Sequence, residues 1–196
     1  LSNADHPHNG GLFARRSTQD TVADASRAAD LVILFGPSDT LRAGDVPRAI
    51  AAQYPDAIVI GCSSGTMIDD VRLSDENVSG LAIGFDKTRL QVAVQSLGDA
   101  AQSHAVGQAL GEELRADDLA GIFVLSDGLA VNGSTLVDGL RSALGDKVVI
   151  SGGLAGDGAR FQDTLVMVGA QATSGLVAAV GFYGSAVRFA HGPAGG

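Results

Sequence analysis

The sequence predicts an α/β fold: a mixed sheet or sheets with helices packed on them, built from a duplicated α-β-α-β-β-β-type unit with pseudo-two-fold symmetry. Three observations carry this reading. Apolar runs of strand length end in glycine-rich turns, stretches of helical period alternate with them, and both recur in the same order about ninety positions apart.

The unit opens on a helix, marked by Val22, Ala25 and Ala29 in the first copy and by Val106, Ala109 and Leu114, on a helix over 100–115, in the second. A buried strand follows, Asp30-Leu-Val-Ile-Leu-Phe-Gly36 and then Ala120-Gly-Ile-Phe-Val-Leu-Ser-Asp-Gly128. Continuous apolar runs of this kind suit strands covered on both faces. The next helix carries its apolar stripe at Val46, Ile50 and Tyr54, and at Leu136, Val137, Leu140 and Leu144. Asp45 ahead of Pro47 and Ser134 ahead of Leu136 are the expected N-caps, because their side-chain oxygens can accept from unpaired first-turn N–H groups. Short buried strands at 56–60 and 146–150 then enter small-residue loops, and each unit closes on a hairpin, 78–85 with 89–94 and 173–180 with 186–190. The repeats span about 18–98 and 103–191. The strand–helix–strand portions should be parallel crossovers, and one long sheet or two stacked ones would both accommodate them.

Composition narrows the function. The 196 residues include 13 basic and 22 acidic side chains, a net charge of -9, with no Trp and two Tyr. Scattered single cations form no basic stripe, so no nucleic-acid partner is expected. The longest apolar runs stop short of the ~20 residues that cross a bilayer, so no membrane partner is expected either. One cysteine, Cys62, cannot form an internal disulfide, and with no signal peptide visible the expected location is cytoplasmic. Residues 1–14 read as a tag remnant and a disordered tail that includes His6 and His8, and 193–196 as a linker.

Ligands of open α/β sheets bind beyond the carboxyl ends of the parallel strands. Four polar loops fall there: 36–40, 61–66, 126–133 and 152–158. Their Gly, Ser, Thr, Asp and Asn residues place N–H donors, hydroxyls and carboxylates at short range, which suits a small-ligand pocket; such residues are also what turns require. The candidate ligand-binding residues are Cys62, Ser63, Ser64, Asp127, Asn132, Gly152, Gly153, Asp157 and Arg160. Asp127 and Asp157 can receive an ammonium group, and Arg160 or loop amides a carboxylate, the polarity of an amino acid. No lysine follows the glycines as a P-loop needs, and 152–158 departs from G-x-G-x-x-G, so nucleotide binding is disfavoured and no cofactor is expected. No Cys or His spacing in the body suits a metal. Cys62, on a tight turn after a strand, supports a second reading, a hydrolase or transferase with a cysteine nucleophile, although neither His104 nor His191 is placed near it. A ligand-free interaction scaffold is the third.

Gly61-Cys62-Ser63-Ser64-Gly65, Asp127-Gly128 with Asn132-Gly133, and Gly152-Gly153-Leu154-Ala155-Gly156-Asp157-Gly158 followed by Phe161 together resemble the FIST N-terminal domain over about 15–192. The resemblance implies an intracellular signal-transduction module that senses small ligands such as amino acids. It also implies a companion FIST C-terminal domain beyond this chain, and partners among bacterial signalling output domains. It carries no reaction, so binding rather than catalysis is the expectation.

Overall fold

The computed structural model describes residues 29–69, 72–74 and 78–189. The expected first helix, the tail 1–14 and the linker 193–196 lie outside the described residues, as do His6, His8 and His191. In chain order the elements are β1 (Leu31–Gly36), α1 (Ser38–Ala43), α2 (Asp45–Gln53), β2 (Ile58–Ser63), β3 (Met67–Asp69), β4 (Arg72–Ser74), β5 (Ser79–Ile83) and β6 (Arg89–Ser96). A 3-10 turn at Ala100–Gln102 then leads into α3 (Ser103–Leu114), β7 (Leu119–Ser126), α4 (Gly133–Leu144), β8 (Val149–Leu154), β9 (Val166–Val168), β10 (Gln171–Thr173) and β11 (Leu176–Tyr183).

The fold is α/β, with two mixed sheets and helices packed on them. One sheet runs β10-β9-β2-β1-β5 and the other β6-β11-β7-β8, while β3 and β4 pair with each other. Parallel pairing joins β1 to β2 and β7 to β8, the two strand–helix–strand portions; the other pairings are antiparallel.

Strict alternation along the strands explains why they read as continuous apolar runs. Leu31, Ile33 and Phe35 of β1 meet Leu125 of β7 and Ala178, Val180 and Phe182 of β11 in a layer between the sheets. Val32 and Leu34 turn the other way, toward Leu41 of α1 and Val46 and Ile50 of α2. Across the second sheet, Ile122, Val124, Val177 and Ala179 pack on Val106 and Leu110 of α3 and Leu136 and Leu140 of α4. The two sheets are therefore stacked, with α1 and α2 outside one and α3 and α4 outside the other. Each large side chain fully buried in these layers contributes roughly 1.5–3 kcal/mol. Phe182 stands edge-on to both Phe85 and Phe189, at 5.8 and 5.3 Å between ring centres.

The expected hairpins are not formed. β5 pairs with β1, and β6 leaves for the other sheet to pair with β11, so 84–88 is a crossover rather than a hairpin turn. No strand forms at 186–189; Phe189 instead packs into the layer between the sheets. β2 and β8 run on through Ser63 and Leu154, which puts Cys62 and Gly152 inside strands. β8, expected to be buried, is mostly exposed because it is a sheet edge with β7 alone beside it. The cap of α4 is Asn132, whose side-chain oxygen accepts from Thr135 N–H at 3.1 Å, and Ser134 lies within the helix; the residue preceding α2 is Gly44, with Asp45 in its first turn.

Part of the glycine surplus serves helix packing. A Cβ on Gly107 of α3 would stand 2.2 Å from the Leu136 carbonyl oxygen, and one on Gly139 of α4 would stand 2.1 Å from that of His104. Backbone meets backbone at both contacts, so no side-chain rotation relieves the clash. Gly107→Ala or Gly139→Ala should each lower stability by about 1–3 kcal/mol or more, measured by urea unfolding; a variant as stable as the parent would show that the helices can separate without loss.

Candidate functional site

Polar segments follow the carboxyl ends of β1, β2, β7 and β8, though they are not all loops as expected: 38–40 open α1, 61–63 belong to β2 and 152–154 to β8. The segment 155–165 ties these strand ends together. It carries the chain from β8 in one sheet to β9 in the other. Ala155 N–H donates to the Ser126 carbonyl at 2.8 Å, and Gly156 N–H to that of Ser63 at 2.9 Å. Ser63, fully buried, accepts Leu165 N–H on its Oγ at 2.9 Å and donates its own N–H to the Leu165 carbonyl at 2.8 Å. Ser64 N–H reaches the Gly36 carbonyl at 2.9 Å, while its hydroxyl donates to the Thr66 carbonyl. Gly65 lies directly on Gly158: a Cβ there would come within 2.4 Å of the Gly158 Cα.

The two aspartates are buried and bonded to backbone. Asp127, at the end of β7, accepts Leu129 and Ala130 N–H on Oδ1, both at 2.8 Å, and Gly175 N–H on Oδ2 at 2.9 Å. Burial alone would raise its pKa. The amides of Gly175, Ala130 and Leu129, with the Thr164 hydroxyl, outweigh that and hold it below the ordinary carboxylate value. Asp157 accepts Phe161 N–H on Oδ1 at 2.9 Å, and Gln162 and Asp163 N–H on Oδ2 at 2.7 and 2.9 Å. The amides of Gln162 and Asp163 are the main cause of its lowered pKa; burial opposes them, and Phe161 N–H and the Arg160 charge add to them. Both carboxylates thus hold loops in shape, a use their residue type left open in the sequence.

Arg160 spans from this loop to α1. Its Nη1 donates to Asp39 Oδ2 at 2.9 Å, its Nη2 to the buried Ser38 Oγ at 2.6 Å, and its Nε to the Asp157 carbonyl at 3.3 Å. Arg42 of α1 answers with a two-pronged bond to Asp163, Nε to Oδ2 at 3.0 Å and Nη2 to Oδ1. Next to Arg160 in the chain is Phe161, 74% exposed and at φ 51°. The left-handed region costs a non-glycine residue roughly 1–2 kcal/mol, and the bond from its N–H to Asp157 holds it there.

Arg42, Asp163 and Thr164 fall outside the four candidate loops, and Ser38 and Asp39 lie in one without a role assigned to either; the partners of all five lie 36 or more positions away in the chain. Cys62 Sγ is buried among Leu31, Ile60 and Val166, and burial pushes the thiol up to about 12. That is the reverse of the lowered pKa a thiolate nucleophile needs. Asn132 is engaged at the α4 cap, and its N–H donates to Ser103 Oγ at 2.9 Å. Gly152 holds φ 148° with the Val124 carbonyl pressed against it, whereas a Cβ on Gly153 would meet open space. Among the described residues no three His, Cys, Asp or Glu side chains gather as a metal site. No helix among them is long and apolar enough to cross a membrane.

The sequence model of the FIST N domain family matches residues 30–196, most of the chain. No curated protein matches it.

Two measurements check the site. Their backbone bonds hold both aspartates below the ordinary carboxylate value, so their contribution is complete above that value and is lost as pH falls below it, through the lowered folded-state pKa. Asp127→Asn should lower stability at neutral pH by about 1–3 kcal/mol and flatten the acid limb of melting temperature against pH. Equal melting of variant and parent at neutral pH would mean that the Asp127 charge does not hold those amides. Cys62 should resist a thiol-alkylating reagent in the native chain at neutral pH and react once the chain is unfolded; rapid native labelling would restore the nucleophile reading.

Proposed function

The chain belongs to the FIST N domain family of signal-transduction sensor domains, and we propose that it senses a small zwitterion, an amino acid or a related metabolite, at the loops gathered by residues 155–165. The observation that supports this reading is the pairing of Arg160 with Asp39 at the carboxyl ends of the parallel strands. The two charges are bonded at 2.9 Å, yet their side chains stay 47% and 79% exposed. A guanidinium beside a carboxylate, both reaching solvent, complements a ligand that carries a carboxylate beside an ammonium group.

In this reading Arg160 receives the ligand carboxylate and Asp39 its ammonium, with Ser64 and the open face of Gly153 at the rim. Asp127, Asp157, Ser63, Asn132 and Gly152 set the loop backbones, and Cys62 lines the apolar floor. A companion C-terminal domain would complete the site from outside this chain, and output domains would read its state. A hydrolase or transferase with a Cys62 nucleophile draws no support from a buried thiol, and a scaffold without ligand does not need two exposed opposite charges set side by side.

Thermal shift with a panel of amino acids tests the proposal. A ligand at 100 times its Kd stabilises the fold by about 2.7 kcal/mol. Arg160→Gln removes a charged hydrogen bond of about 1.5–3 kcal/mol and should weaken that ligand tenfold or more. A panel that shifts nothing, or a ligand bound equally well by Arg160→Gln, overturns it.

A further inference from the structure

We infer that residues 157–163 form a strap that is rigid within itself and latched to α1 by charged side chains, two ion pairs and one guanidinium–hydroxyl bond, so that it lifts off the 64–66 turn as a unit. Its internal bonds and its outward bonds differ in kind. Inside, the shielded Asp157 carboxylate gathers the N–H groups of Phe161, Gln162 and Asp163, and Arg160 Nε closes onto the Asp157 carbonyl. Hydrogen bonds to an ionised carboxylate are roughly twice as strong as neutral ones, and these do not depend on α1.

The two ends of the strap are fixed. Gly156 is bonded to Ser63, Thr164 is buried and accepts Gly128 N–H at 3.1 Å, and Leu165 is bonded to Ser63 through both its N–H and its carbonyl. Between those ends the strap is held on α1 by Arg160 with Asp39 and Ser38, and by Arg42 with Asp163. Three of the four charged side chains are about half or more exposed: Arg42 at 53%, Arg160 at 47% and Asp39 at 79%. Exposed ion pairs are weak and screened, the Debye length falling to about 3 Å at 1 M salt. Gly158, at φ 72° and without a side chain, lies on Gly65, so at this contact backbone meets backbone and no side chain of either residue has to be withdrawn when the strap lifts. Opening would bare the backbone of 64–66 and carry the exposed Phe161 with it. The inference concerns the same loops as the proposed ligand site but requires no ligand.

Spin labels on Ala43→Cys and Gln162→Cys, both exposed positions, report the strap-to-α1 separation, and buried Cys62 stays unlabelled. At low salt a single short separation is expected. At 1 M salt, or in Arg42→Gln and Asp163→Asn, a second and longer population should appear. Hydrogen exchange at Phe161, Gln162 and Asp163 should meanwhile remain as slow as at low salt. A separation unchanged by salt and by both variants would overturn the charge latch. Exchange at the three amides that quickens together with the longer separation would show the loop unravelling, and would overturn the strap as a unit.

Discussion

Each time the chain leaves one sheet for the other, its backbone N–H groups lose the ladder partners a strand would have given them. Among the described residues it crosses three times, at 84–88, 155–165 and 174–175. Amides drawn away from a ladder and from water without partners are costly, so each crossing is held by an acceptor brought within reach. Aspartate supplies it in every case. Asp30 Oδ2 accepts Phe85 N–H at 2.6 Å, Asp157 serves 161–163, and Asp127 serves Gly175. Stacking two sheets against each other depends on these crossings, and the layer of Leu31, Ile60, Val166, Val180 and Phe182 depends on the stacking.

The same requirement places polar chemistry at one end of the molecule. Two of the crossings begin or end beside the carboxyl ends of β7 and β8, where the parallel strands already deliver loops. A carboxylate that organises a crossing also fixes the backbone of the loops it touches, so the polar groups around 155–165 sit on a rigid base. Above that base the contacts are different in character. Arg42, Asp39, Arg160 and Asp163 meet at the surface, where water and salt compete for them. A firm floor under a weakly held cover is an arrangement a sensor can use, because a ligand has to outcompete only the surface contacts.

Glycine serves two separate demands. In α3 and α4, Gly107 and Gly139 let helix backbones approach to within the space a methyl group would fill, whereas Gly65 and Gly158 let one loop lie flat on another. Neither demand shows in local sequence, because a glycine in a helix pattern and a glycine in a turn pattern look alike until the neighbour is known.

The sequence by itself determined the α/β class, the positions of β1, α2, β7 and α4, the helix ahead of β7 and the polar character of the strand ends, though not that 38–40 open a helix or that 61–63 and 152–154 continue strands. Those features are written in local pattern: a short apolar run such as 31–36, bounded by turn residues, suits a strand with both faces covered, and the stripe of Leu136, Val137, Leu140 and Leu144 suits one face of a helix. Tertiary structure alone decided that two sheets stack, that β5 and β6 part company instead of forming a hairpin, and that β8 is an exposed edge. It also decided what the candidate residues do. Asp127 and Asp157 were visible as carboxylates at strand ends, but whether they face a ligand or their own backbone depends on where 161–163 and 175 come to rest. The bond between Arg42 and Asp163 joins residues 121 positions apart. Hydrophobic period is a local quantity that sequence records, whereas the pairing of strands and of charges is a relation between distant segments that exists only once the chain has closed on itself.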